Sequence, residues 1–168
     1  LLSDLVKMNG IEWIRLHYTY PAAFPVDVLD VMALEPKICK YLDIPFQHIN
    51  GELLSSMRRG ITKKETYDLI ETIRNKIPGI ALRTSLMVGY PGETKKHFQE
   101  LMDFVRDVRF ERLGVFTYSE EDGTRAAALK NSVPKLVKQE RAEQIMMVQQ
   151  EISAEINNAK IEKVFKTI

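Results

Sequence analysis

A single cysteine, Cys39, stands in this 168-residue sequence, so no internal disulfide can form and a disulfide-stapled secreted scaffold is excluded. No apolar run in it approaches the ~20 residues that carry a helix across a bilayer. Neither a secretory signal nor an amphipathic transit peptide is legible at the start, and a cytoplasmic protein with no membrane contact is the expectation. An excess of one charge is missing too: the formal net charge is +1, which provides no long-range field to gather a polyanion. Also absent is the glycine-rich G-x-G-x-x-G turn of a dinucleotide fold.

What is present is the composition of a soluble globular domain, 45% hydrophobic and 28% charged, at a length that suits one domain. The first residue is Leu1, not methionine. "LLSDLVKMNG" reads as the last turns of a helix, with Leu2, Leu5 and Val6 on one face and Gly10 as its stop. A piece of a longer protein is therefore expected.

A strand-like run alternates with a helical one four times. "IEWIRLHY" (11–18) is followed by Pro25 and "VDVLDVMALE", with Val28, Leu29 and Met32 on one side. "YLDIP" opens the second unit and leads to a short helix, "GELLSSM". A longer one follows, where Thr62 and Glu65 make a capping box and Tyr67, Ile70, Ile73 and Ile77 recur at helical spacing. The third strand, "IALRTSLMV" (80–88), is a nearly unbroken apolar run that predicts a parallel strand covered on both faces. Its helix starts after Thr94 and buries Phe98, Leu101, Met102 and Val105. "RLGVFTYS" (112–119) precedes a polar loop and a long helix from Pro134 to about Lys160. Consecutive β-α units predict an α/β fold with parallel strands and flanking helices. Four units are too few for a closed eight-fold barrel, so a partial (β/α) barrel is expected.

Ligands in such folds sit at the carboxyl ends of the strands. That rule selects His17 and Tyr18, Gln47 and His48, Gly89 to Glu93, and Tyr118 to Glu121. Gly89 and Gly92 allow a backbone approach that a side chain would block. Arg83 is a charge inside an apolar strand, and a buried arginine needs an anion.

"CKYLDIPFQHI", "SSMRRGITK", "LRTSLMVGYPGET" and "FERLGVFTYSEEDGT", in this order, together resemble the methylthiotransferases of the radical S-adenosylmethionine superfamily. "YLDIPFQHI" and "VFTYSEEDGT" are more similar to the branch that adds a methylthio group to an aspartate of small-subunit ribosomal protein twelve than to the tRNA-modifying branch. The resemblance implies S-adenosylmethionine and two 4Fe–4S clusters as cofactors of a full-length parent. It also implies an amino-terminal domain, a radical barrel and a small carboxyl-terminal TRAM domain. The cluster cysteines of that plan are absent here. The expected division is the carboxyl-terminal half of the radical barrel over 1–130, an exit helix over 131–160, and the start of a truncated TRAM domain over 161–168. No metal ligand is expected, and the isolated piece is expected to be inactive and to self-associate.

In this resemblance the protein supplies orientation while the cofactor supplies the chemistry. Arg83 would clamp the methionyl carboxylate, Gln47 the ribose, and Gly89, Pro91 and Gly92 with Tyr118 would border the adenine. The ribosomal protein is the implied substrate, with the ribosome as its setting. Simpler readings stand beside these. Arg83 can pair with Asp43, His48 with a structural partner, and Glu93 can cap the next helix. His97 reads as solvated, Cys39 as inert packing, Met146 and Met147 as core or helix-packing residues, and the basic "MRRG" and Lys95–Lys96 runs as solvated faces. A non-catalytic binding module is the alternative from another class, and tRNA modification the alternative within the enzyme class.

Overall fold

In the computed structural model, which describes residues 1–165, four parallel strands form one sheet in chain order. They are β1 (Ile14–Leu16), β2 (Ile38–Asp43), β3 (Ala81–Val88) and β4 (Arg112–Thr117). Between and around them run α1 (Leu2–Leu5), α2 (Asp27–Leu34), α3 (Gly51–Ser56), α4 (Lys63–Lys76), α5 (Lys95–Val108) and α6 (Lys135–Asn158). β1 and β4 are the two edges, so the sheet is an open portion of a barrel, as expected.

Local chemistry accounts for the helix boundaries. Thr62 accepts from the Glu65 backbone N–H while the Glu65 carboxylate accepts from Thr62 N–H, the expected capping box. Thr94 caps α5 in the same way, but with His97 as the reciprocating side chain. Asn50 caps α3 by accepting from Glu52 and Leu53. Its amide in turn donates to Glu100 of α5 at 2.7 Å.

The core lies on one side of the sheet, where Leu42, Leu82, Leu86 and Val88 meet Leu29, Met32, Ile73, Ile77, Leu101 and Val105. Phe46, Phe104 and Phe110 form an aromatic cluster with centroids 5.4 to 6.2 Å apart, Phe104 edge-on to both partners and Phe46 tilted against Phe110. α6 closes it with Ile145 and Ile152, and the Gln149 amide donates to Phe110 O at 2.8 Å.

Three expectations are corrected. β3 is not covered on both faces: burial alternates along all of it, with Leu82, Thr84, Leu86 and Val88 buried and Ala81, Arg83, Ser85 and Met87 half-exposed. The helices cover one face only, so a run that reads as apolar throughout carries a polar second face. Cys39 lies within β2 rather than before it. Met146 packs against the core, but Met147 projects outward and is exposed. The described part of the expected TRAM entry, 161–165, holds no strand and exposes Ile161, Val164 and Phe165; residues 166–168 lie outside the described residues.

Candidate functional site

Beyond the end of β2 the chain continues through Pro45 and Phe46 to Gln47, which rejoins the sheet. Its N–H donates to Ser85 O at 2.9 Å, and its C=O accepts from Met87 N–H at 2.7 Å. Gln47 adopts φ +69°, the left-handed region where a residue with a Cβ is uncommon and where strain often marks function. This backbone turn sets its side chain at the lip of a cavity of about 370 Å³. Gln47, Met87, Tyr90 and Tyr118 line that cavity together with Arg58, Arg59 and Arg125. A larger hollow of about 750 Å³ lies between α1, β1 and α2, but Leu2, Leu5, Phe24 and Val28 dominate it. The convergent polar groups expected of a ligand site belong to the smaller cavity.

From the Gly89–Gly92 turn, Tyr90 alone lines the cavity. Tyr90 is buried, with its hydroxyl 3.2 Å from Ser56 Oγ and its ring edge-on to Tyr118 at 5.5 Å. Burial of the Tyr118 hydroxyl, with Glu120 nearby, raises its pKa above the usual tyrosine value. Pro91 is buried and Gly92, at φ +89°, faces open space. At Gly89 the space that a side chain would need is already filled. The side chain of Lys138 from α6 occupies the place where a Cβ on Gly89 would stand, and Lys138 Nζ donates to Tyr118 O at 2.9 Å.

Glu93 neither caps α5, which Thr94 does, nor faces the cavity. Its buried carboxylate accepts from Gly89 N–H and lies 3.0 Å from Arg141 Nη1 and 3.6 Å from His48 Nε2. His48 is fully buried, and its Nδ1 accepts from the Ile49 and Asn50 N–H groups. That fixes the proton on Nε2 and makes His48 a structural group. Lys138 and Arg141 escaped the sequence reading. Their signal was present: Arg141 and Gln149 interrupt the apolar stripe that α6 buries with Ile145 and Ile152.

Arg83 stands apart from this cavity, on the helix-free face of β3 and four residues before Met87. It pairs with Asp43 at 2.7 Å, directly opposite in register, and retains 35% side-chain exposure with donors to spare. His17 Nδ1 lies 3.8 Å from the same carboxylate oxygen. Arg15 donates to His17 Nε2 at 2.9 Å and covers the Tyr41 ring. Burial, reinforced by Asp43, raises the Tyr41 pKa despite the surrounding arginines. His97 is not solvated: it caps α5, and its side chain is 14% exposed. Among the described residues no three His, Cys, Asp or Glu side chains converge as metal ligands. The lone Cys39 cannot hold a four-iron cluster.

Residues 1–105 match the family model described as the radical SAM superfamily. The chain belongs to the radical S-adenosylmethionine superfamily. It is 56% identical over 168 residues to the ribosomal protein uS12 methylthiotransferase RimO of Christiangramia forsetii, covering all of this chain and 37% of that protein. It is also 56% identical over 162 residues to RimO of Porphyromonas gingivalis, covering 96% of this chain and 37% of that one. The chain thus spans little more than a third of the length of these curated relatives. Among solved structures, Escherichia coli coproporphyrinogen III oxidase, a radical SAM enzyme, superposes with a TM-score of 0.71 at 20% identity. That match covers 90% of this chain and 36% of the oxidase, and shows the shared fold.

Proposed function

We propose that this chain is the cofactor-orienting portion of a methylthiotransferase that adds a methylthio group to an aspartate of ribosomal protein uS12. The observation that carries this is 56% identity along the whole chain to a relative bearing that name. Bound S-adenosylmethionine and a reduced four-iron cluster would supply hydrogen abstraction from unactivated carbon. The described residues do not fit as the cluster's ligands, and no step is assigned to it on this chain.

The residues do suit the adenosyl group. The Gln47 amide can both donate to and accept from ribose hydroxyls, and Tyr90, Tyr118 and Met87 offer apolar and aromatic surface for a base. Gly89 and Pro91 hold the turn that carries Tyr90, while Gly92 leaves open space beside it. Arg83 has donors beyond its Asp43 contact for the methionyl carboxylate. Two clusters, a uS12 substrate presented free or on the ribosome, and a cytoplasmic setting complete the proposal. No helix among the described residues is long and apolar enough to cross a membrane. Prepared alone, the chain would be inactive and would associate through the β1 edge.

The test is mass spectrometry of uS12 and of tRNA from a strain deleted for the full-length gene. We expect methylthio-aspartate to vanish from uS12 while tRNA keeps its methylthio groups. Loss from tRNA alone assigns the chain to the tRNA-modifying branch and refutes the uS12 reading.

A further inference from the structure

The cavity at the ends of β2, β3 and β4 is lined by three guanidinium-bearing side chains, Arg58, Arg59 and Arg125, and by no carboxylate. Several arginines elsewhere in this fold pair with acids, among them Arg74 with Glu111, Arg83 with Asp43, Arg109 with Glu155 and Arg141 with Glu93, while Arg15 and Arg112 bond to His17 and to a backbone carbonyl. Arg58 and Arg125 make no side-chain hydrogen bond or ion pair among the described residues. The acids of the same loop, Glu120, Glu121 and Asp122, do not line the cavity.

The third arginine is held in place. Arg59 Nη2 donates to Pro45 O at 2.6 Å, and its guanidinium lies over the Tyr20 ring at 4.8 Å. The Tyr20 hydroxyl donates back to Arg59 O at 2.8 Å. This leaves the Arg59 Nε buried with no partner, a donor whose burial without a bond is costly. Arg58 adopts φ +55°, a left-handed conformation that ends α3. One guanidinium held in place, two exposed and unpaired ones and the absence of lining acids describe a carboxylate-binding subsite, since the planar fork of arginine matches a carboxylate bidentately.

Resting on the uS12 reading above, we infer that Arg58 and Arg125, with Arg59 as a fixed donor, hold the side-chain carboxylate of the substrate aspartate. The subsite adjoins Gln47 and Tyr118, so an aspartate held there would be presented beside the adenosyl group. The substrate carbon that reacts neighbours that carboxylate, so gripping the acid orients the carbon without contacting it.

The test uses the reconstituted full-length enzyme containing this chain, with Arg58→Ala, Arg125→Ala and the double variant. A hydrogen bond to a charged group is worth roughly 1.5–3 kcal/mol, about 10- to 150-fold. We expect the KM for uS12 to rise at least about tenfold in the double variant, and Lys replacements to restore only part of it. Calorimetric titration then compares uS12 with a version whose target aspartate is asparagine. Wild-type enzyme should prefer the aspartate form, and the double variant should lose that preference. A KM within about twofold of wild type, or an equal loss of affinity for both forms, overturns the subsite. If the wild-type enzyme leaves uS12 unmodified, the functional proposal fails and this inference falls with it. Intact modification with an unchanged KM sinks the subsite alone.

Discussion

Arg141 of α6 donates to Glu93 O at 3.1 Å and lies 3.0 Å from the Glu93 carboxylate, which itself accepts from Gly89 N–H. The last helix is thereby tied to the turn that ends β3. Both side chains are nearly fully buried, and removing one partner of such a pair strands the other charge. Arg141→Ala should cost about 3–5 kcal/mol, and Arg141→Met, which fills the space but still strands the Glu93 charge, should cost no more than the alanine variant. A midpoint shift in urea worth under about 1 kcal/mol would show that Glu93 is satisfied without α6.

Gly89 combines φ +75° with the Lys138 side chain standing where a Cβ would go. Gly89→Ala therefore meets two penalties, a left-handed backbone costing about 1–2 kcal/mol and a steric one. Lys138→Ala should relieve the second but not the first. A double-mutant cycle is the measurement, and a coupling of about 1 kcal/mol or more is expected for residues in direct contact. Additive costs would show that α6 does not pack on the turn.

The Arg83 and Asp43 pair is half-open, since Arg83 is 35% exposed and Asp43 1%. Its worth should fall between surface and buried pairs, so Arg83→Ala should destabilise by about 2 kcal/mol. Asp43→Asn in the same background should recover part of the loss. In the full-length enzyme, Arg83→Ala should also weaken S-adenosylmethionine by about 1.5–3 kcal/mol, read by calorimetry. Lost stability with unchanged cofactor affinity would make Arg83 purely structural.

Burial and the neighbouring Asp107 push the Tyr67 pKa up to about 12. The unfolded chain ionises this group at about 10, so its contribution is present below pH 10 and lost as pH rises towards 12. Tyr67→Phe should remove a component titrating above pH 11 from the tyrosinate absorbance and flatten the alkaline loss of stability. An unchanged titration above pH 11 would contradict the assignment.

Periodicity determined the four β-α units and the buried stripe Phe98, Leu101, Met102 and Val105, and the T-x-x-E pattern the Thr62–Glu65 capping box, because these signals are local to the chain. The strand-end rule also grouped Gln47 and Tyr118, which line one cavity. Tertiary structure decided the rest. That β3 has a polar face, that Asp43 answers Arg83, and that Lys138 fills the space above Gly89 depend on contacts between residues 40 and 49 positions apart. The convergence of Arg58 and Arg125, from loops on either side of β3, is of the same kind. No local pattern encodes these pairings, because they arise only when parallel strands and the helix behind them are brought into register.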